Sequence, residues 1–164
     1  MSVDDLMTKA LAALGEAGGP ISVELLHRMA DGGGVDEPKS IAEVAELLDV
    51  TAHTLRYYER IGLLVVDRDA DGHRRYSPEA IRRLVFLTRM RLSGMAIRDL
   101  QHYVELVDAG ADTVPERLDM LVEHRDTIQR QIRELTLSLA ATEYKIATYG
   151  GRAGDPASRL RPRS

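Results

Sequence analysis

The run Thr54-Leu55-Arg56-Tyr57-Tyr58-Glu59-Arg60-Ile61-Gly62-Leu63-Leu64 reads as a short helix that ends at a glycine and leaves by an apolar exit. At helical spacing Leu55, Tyr58 and Gly62 share one side. His53, Arg56, Tyr57 and Arg60 fall on the other. A short helix displaying two arginines and a tyrosine has little to gain from packing alone. It suits phosphate contact, because a guanidinium forks onto phosphate oxygens and a phenol adds a neutral donor.

The neighbours of this run form a compact plan. Upstream, Ser40 and Glu43 make a Ser-x-x-Glu capping box for a helix over 41–48 that buries Ile41, Val44, Ala45 and Leu48. Asp49-Val50 is a tight turn, and Thr51 caps the next helix over 52–61. Two short helices, the second bearing the arginines, make a helix-turn-helix pattern. Downstream, Leu64, Val65 and Val66 favour extended backbone, Asp69-Ala70-Asp71-Gly72 turns, and His73-Arg74-Arg75-Tyr76 returns. This hairpin is expected to serve as a wing on a nucleic-acid backbone.

Two more helices follow. The first starts at Ser77-Pro78, carries the stripe Ile81, Leu84, Val85, Leu87 and Thr88, and ends at Ser93-Gly94. The second, over 96–107, buries Ile97, Leu100, Tyr103 and Val104. The last element is a single helix expected from Val114 to Tyr149 and stopped by Gly150-Gly151. Its seam steps through Leu121, Ile128, Ile132, Leu135, Leu139 and Ile146 in alternating fours and threes, interrupted by Arg125 and Thr142. So long a helix with one apolar stripe needs a partner helix, most simply from a second copy of the chain.

Bulk properties bound the classes. The chain has 164 residues and a net charge of −4. Residues 1–38 hold two basic against seven acidic side chains, whereas 39–104 hold eleven against nine, so the only basic part is the middle. There is no cysteine, which removes disulfides, thiolate metal sites and thiol nucleophiles. The five histidines show no close ligand spacing, so no metal and no cofactor are expected. No apolar run is long enough to span a membrane and no secretion signal is evident, so a cytoplasmic protein is expected, nucleoid-associated when bound to DNA. No catalytic constellation stands out, so an enzyme is not expected. The competing class is a coiled-coil interaction protein whose winged domain binds protein, with the acidic N-terminus as a docking arm.

Four segments result. Residues 1–38 are a partly helical extension ending in a glycine-rich linker, read as loosely held or else as an accessory docking segment. Residues 39–110 are the winged domain with its second helix pair. Residues 112–149 are the dimerising helix, and 150–164 a disordered basic tail.

The ordered strings Ser-Ile-Ala-Glu-Val-Ala at 40–45, Thr-Leu-Arg-Tyr-Tyr-Glu at 54–59, Gly-Leu-Leu at 62–64, Gly-His-Arg-Arg-Tyr-Ser at 72–77 and Arg-Leu-Ser-Gly at 91–94 resemble the MerR family of bacterial transcription regulators. The resemblance covers about residues 40–149. It implies a mainly α fold: a winged helix-turn-helix followed by a long helix forming an antiparallel coiled coil in a homodimer. It implies a pseudo-palindromic operator in double-stranded promoter DNA, bent and untwisted so that RNA polymerase can initiate. Matched residue by residue, it assigns DNA contact to Thr54, Arg56, Tyr57, Tyr58, Arg74, Tyr76 and Arg91, with His53 and Arg75 as neighbours. Tyr58 is read either as a donor or as a side chain buried beneath Arg56. A small-molecule effector, where one binds, is expected around Tyr103, Leu106 and Leu118. Three departures stand out: Asp49 where the turn usually carries glycine, Val65-Val66 where proline commonly follows, and His73 where the wing usually has an aromatic.

Overall fold

The computed structural model describes residues 35–153, with side chains through Gly150. The expectations for residues 1–34 and 154–164 lie outside the described residues. Two compact units divide at Val114/Pro115.

The first unit begins with a two-residue strand, β1 (Lys39–Ser40), and helix α1 (Ile41–Leu48). Ser40 closes the capping box: its Oγ accepts from the Glu43 amide at 3.4 Å, and its own amide donates to Glu43 Oε2 at 2.7 Å. Ser40 Oγ also donates to Glu43 Oε2 at 2.7 Å, and this bond first, then that of the Ser40 amide, holds the Glu43 carboxyl below its usual range. Asp49 ends α1 in the left-handed region at φ 51° and ψ 46°. A short polar side chain tolerates that geometry, so the turn forms without glycine. Helix α2 (Ala52–Arg60) starts where Thr51 Oγ1 accepts from the Thr54 amide at 3.1 Å.

The wing is β2 (Asp67–Arg68) and β3 (Arg74–Tyr76). Sheet order is β1-β3-β2, with both pairings antiparallel. Lys39 faces Tyr76, and Arg68 faces Arg74. Two details differ from the sequence reading. The hairpin's first strand is only Asp67–Arg68, because Leu63 and Leu64 both enter the core instead of alternating across a pleat, leaving Val65 83% exposed. The third strand, β1, was not expected, since Ser40 read only as a cap.

Helix α3 (Pro78–Leu92) is capped by Ser77 and buries Ala80, Ile81, Leu84, Val85, Leu87 and Thr88, the expected stripe with Ala80 added. Helix α4 (Ile97–Ala109) buries Leu100, Val104 and Leu106. One core gathers Val44, Leu55, Tyr58, Leu63, Tyr76, Ile81, Leu84, Leu87 and Leu100 from all of these elements. Val35 also lies in it.

A 3₁₀ turn (Ala111–Thr113) precedes α5 (Val114–Ala153), 40 residues and so roughly 60 Å long. The expected stop at Gly150-Gly151 is corrected: α5 continues through both. Glycine disfavours helix by only about 1 kcal/mol, and Gly150 keeps a right-handed backbone rather than a left-handed cap. The first four residues of the expected tail are therefore helical.

Candidate nucleic-acid interface

The surface built by α2, the wing and the start of α1 is where most of the expected contact residues collect. A shallow depression of about 310 Å³ is lined by Ser40, Ile41, Arg56, His73 and Arg74, which brings helix and wing side chains together. His53 and Arg56 are exposed, and Arg56 makes no hydrogen bond or ion pair with a described residue. Thr54 is half-buried, and its hydroxyl is shared with that of Thr51 at 2.9 Å. Tyr57 is also half-buried and carries Arg60 over its ring at 5.5 Å, a cation–π arrangement that presents the guanidinium next to the phenol. Arg60 was missing from the expected contact residues, although its place on the polar side of α2 was legible.

Two of the tyrosines are buried, which for Tyr58 is one of the two expected alternatives. Tyr76 is fully buried, and its hydroxyl has no hydrogen-bond partner among the described residues. It is a core side chain under the wing. Tyr58 is 5% exposed and packs in the same core, its ring 6.1 Å from that of Tyr57. What remains accessible of it faces a small depression shared with Asp49, Arg89 and Arg91. Burial raises the ionisation of both phenols above the ordinary tyrosine range. Both stand beside half-buried polar or charged side chains, Glu59 and Arg75, so adjacency in sequence suggested a surface where the packing puts a ring.

Three arginines have jobs within the fold. Arg74 Nε donates to Glu59 Oε2 at 2.6 Å, tying β3 to α2. Arg75 Nη2 donates to the Pro38 carbonyl at 3.1 Å, tying β3 to the chain entering β1. Arg91, exposed at the end of α3, donates to the Met95 carbonyl at 3.3 Å across the turn to α4. Exposed or half-exposed guanidiniums so held are pre-oriented for anions rather than free to search. Behind the interface, Gln101 of α4 donates to the Ile61 carbonyl at 2.9 Å, and Arg83 pairs with Asp108 at 2.8 Å. Neither tie was expected, because each joins residues far apart in sequence.

Asp69, Asp71 and His73 at the wing tip are the one group of histidine and carboxylate atoms, among the described residues, close enough to share an ion. All three are exposed, and Asp69 Oδ1 already accepts from the Asp71 and His73 amides. These bonds explain the cluster as a turn. No described helix is long and apolar enough to cross a membrane.

On α5 the seam side chains Ile132, Leu135, Leu139 and Ile146 are 57%, 69%, 58% and 65% exposed. Leu121 and Ile128 are half-buried. Leu137 and Tyr144, which lie off the seam, are also well exposed.

Comparison with known proteins gives this geometry a family. Residues 39–106 match the profile of the MerR HTH family regulatory protein, HTH being helix-turn-helix, and residues 81–141 match that of the MerR DNA-binding domain. An uncharacterised HTH-type transcriptional regulator of Haemophilus influenzae is 36% identical over 109 residues, which are 66% of this chain and 81% of the relative. The regulator AdhR of Bacillus subtilis is 40% identical over 90 residues, 54% of this chain and 64% of the relative. Among solved structures, HiNmlR, a MerR family regulator lacking the sensor domain and bound to promoter DNA, superposes with a TM-score of 0.65 at 34% identity, covering 70% of this chain and 91% of its own. The winged domain, its second helix pair and the matched profiles together make this chain a member of the MerR family of helix-turn-helix transcription regulators.

Proposed function

We propose that the chain works as a homodimer that grips a pseudo-palindromic operator inside a promoter and distorts the spacer to control initiation by RNA polymerase. The observation that carries this reading is the exposed seam on α5: four large apolar side chains at heptad spacing, left in water by a single chain. A second copy in antiparallel register would cover them and fix the separation of two α2 helices. Each protomer then offers His53, Thr54, Arg56, Tyr57 and Arg60 from α2, Arg74 and Arg75 from the wing, and Arg91 from the end of α3. Bending and untwisting duplex DNA over a site of this kind costs about 1–10 kcal/mol, offset by phosphate contacts that only the distorted form satisfies. The promoter-bound state of HiNmlR supports DNA as the partner.

Signal input is constrained by chemistry. With no cysteine, sensing through thiolate is closed to this chain. A small-molecule effector would have to act through non-covalent contacts.

The test is genomic binding-site selection with the purified chain, followed by gel shift and a fluorescence measurement of bending. The expected site lies between the two promoter elements over a longer than usual spacer. Arg56→Ala should weaken binding to all duplexes and reduce the magnitude of the salt slope by about one. Unchanged binding by Arg56→Ala combined with Arg74→Ala would refute the reading.

A further inference from the structure

Helix α2 carries one carboxylate, Glu59, half-buried and turned to the wing beside the surface proposed to meet phosphates. Electrostatics alone disfavours a fixed negative charge there. Its contacts show what it does instead. Glu59 Oε2 accepts from Arg74 Nε at 2.6 Å, and Glu59 Oε1 lies 3.6 Å from Arg68 Nη2. Arg74 is in β3 and Arg68 in β2, and the two face each other across the wing ladder. One carboxylate on the recognition helix therefore reaches both strands of the wing at the same register. Glu59 is 22% exposed and Arg74 27%, so this pair is screened less than an open surface pair. Arg68 additionally donates to the Gly72 carbonyl at 3.1 Å, carrying the tie to the wing turn. Beneath the clamp lies Tyr76, fully buried, so the wing has a packed floor as well as a polar fastening.

Resting on the DNA-binding reading above, we propose that Glu59 is a positioning and specificity-determining residue of the interface. It holds the wing at a set distance from α2. It also occupies the charge of Arg68 and Arg74, so that a duplex of the wrong shape finds fewer available cations. Correct phosphates then meet arginines already oriented, and incorrect ones gain little. The idea differs from a purely structural ion pair in its sign. A carboxylate that only repels DNA, once removed, raises affinity for every duplex by the same factor. A clamp, once removed, raises non-cognate affinity and degrades discrimination.

The test uses the full chain and Glu59→Gln, with two probes: the operator recovered by selection with the wild-type chain, and a scrambled duplex of equal length. The expected result is a salt slope on the scrambled duplex steeper by about one to two, and an operator-to-scrambled affinity ratio lowered by about tenfold or more. Arg74→Lys keeps the charge but loses the Nε contact, and it should lower the ratio in the same direction; this variant also serves if Glu59→Gln fails to fold. An equal gain on both duplexes, or no change on either, overturns the proposal. A DNA-free readout separates it from the DNA-binding reading: amide exchange in 67–68 and 74–76 should speed up in Glu59→Gln relative to wild type. Unchanged exchange overturns the clamp whatever the DNA result, whereas a wild-type chain that selects no duplex overturns the DNA reading and the specificity role with it, and leaves the clamp to the exchange result.

Discussion

The winged unit and the long helix draw on the same kinds of apolar residue and dispose of them in opposite ways. Up to Val114, leucines, valines and tyrosines from short elements converge on one core. In α5 the same residue types lie along 60 Å or so of rod, and most of the seam stays in water. The winged unit solves its burial internally. The helix displays an unsolved half of a packing problem. Burial on folding is a property of how a chain returns on itself, and a straight helix has no way to return.

That contrast can be broken in a graded series. The largest effect is expected from Ile132→Asp with Leu139→Asp. Each carboxylate forced into a helix–helix seam costs several kcal/mol, so the double variant should sediment as a monomer while the winged unit keeps its fold by circular dichroism and exchange. A dimer that survives both changes would place the interface elsewhere, with exposed Leu137 and Tyr144 the next residues to change. Next comes Leu84→Ala inside the winged core, where Leu84 is fully buried. A cost of about 2–5 kcal/mol should appear as a lowered unfolding midpoint with self-association intact. Loss of association at equal folded fraction would show that the two regions are not independent.

The smallest effect concerns Tyr76. Its buried hydroxyl lacks a partner among the described residues, so Tyr76→Phe should leave stability at neutral pH unchanged or raise it by about 1 kcal/mol. Burial raises the folded-state ionisation of Tyr58 and Tyr76 above the ordinary tyrosine value. The unfolded chain therefore gives up these protons first as pH rises. The stability they contribute is full below about pH 10 and falls as pH climbs through and above it. Tyr76→Phe should flatten that alkaline loss, measured as midpoint against pH; an unaltered slope would mean Tyr76 titrates as if in water.

Much of the winged unit was legible because its signals are local. Ser40 with Glu43, Thr51 with Thr54, and Ser77 before Pro78 each set a helix start within a few residues, and each cap is present. Asp49 in the left-handed region is a conformation that a short polar side chain tolerates. The contact surface was legible only in part. Arg56 and His53 are exposed as expected and Tyr58 takes the buried one of its two expected places, but Tyr76 is buried too, because a pattern of donors does not reveal which ring the core needs for volume. Strand β1 escaped notice since a strand of two residues is defined by its neighbour, β3, about 36 positions later.

Sequence by itself determined the caps, the α3 stripe, the heptad seam and the identity of the family. These depend on contacts spanning one or two turns, or on an ordered set of strings. Only the tertiary structure decided which arginines are committed. Arg74 is held by Glu59, Arg75 by the Pro38 carbonyl and Arg83 by Asp108, across separations of 15, 37 and 25 residues. No local rule links such pairs, because a guanidinium chooses its partner by what the fold places within about 3 Å of it, and that is settled only when the core has closed.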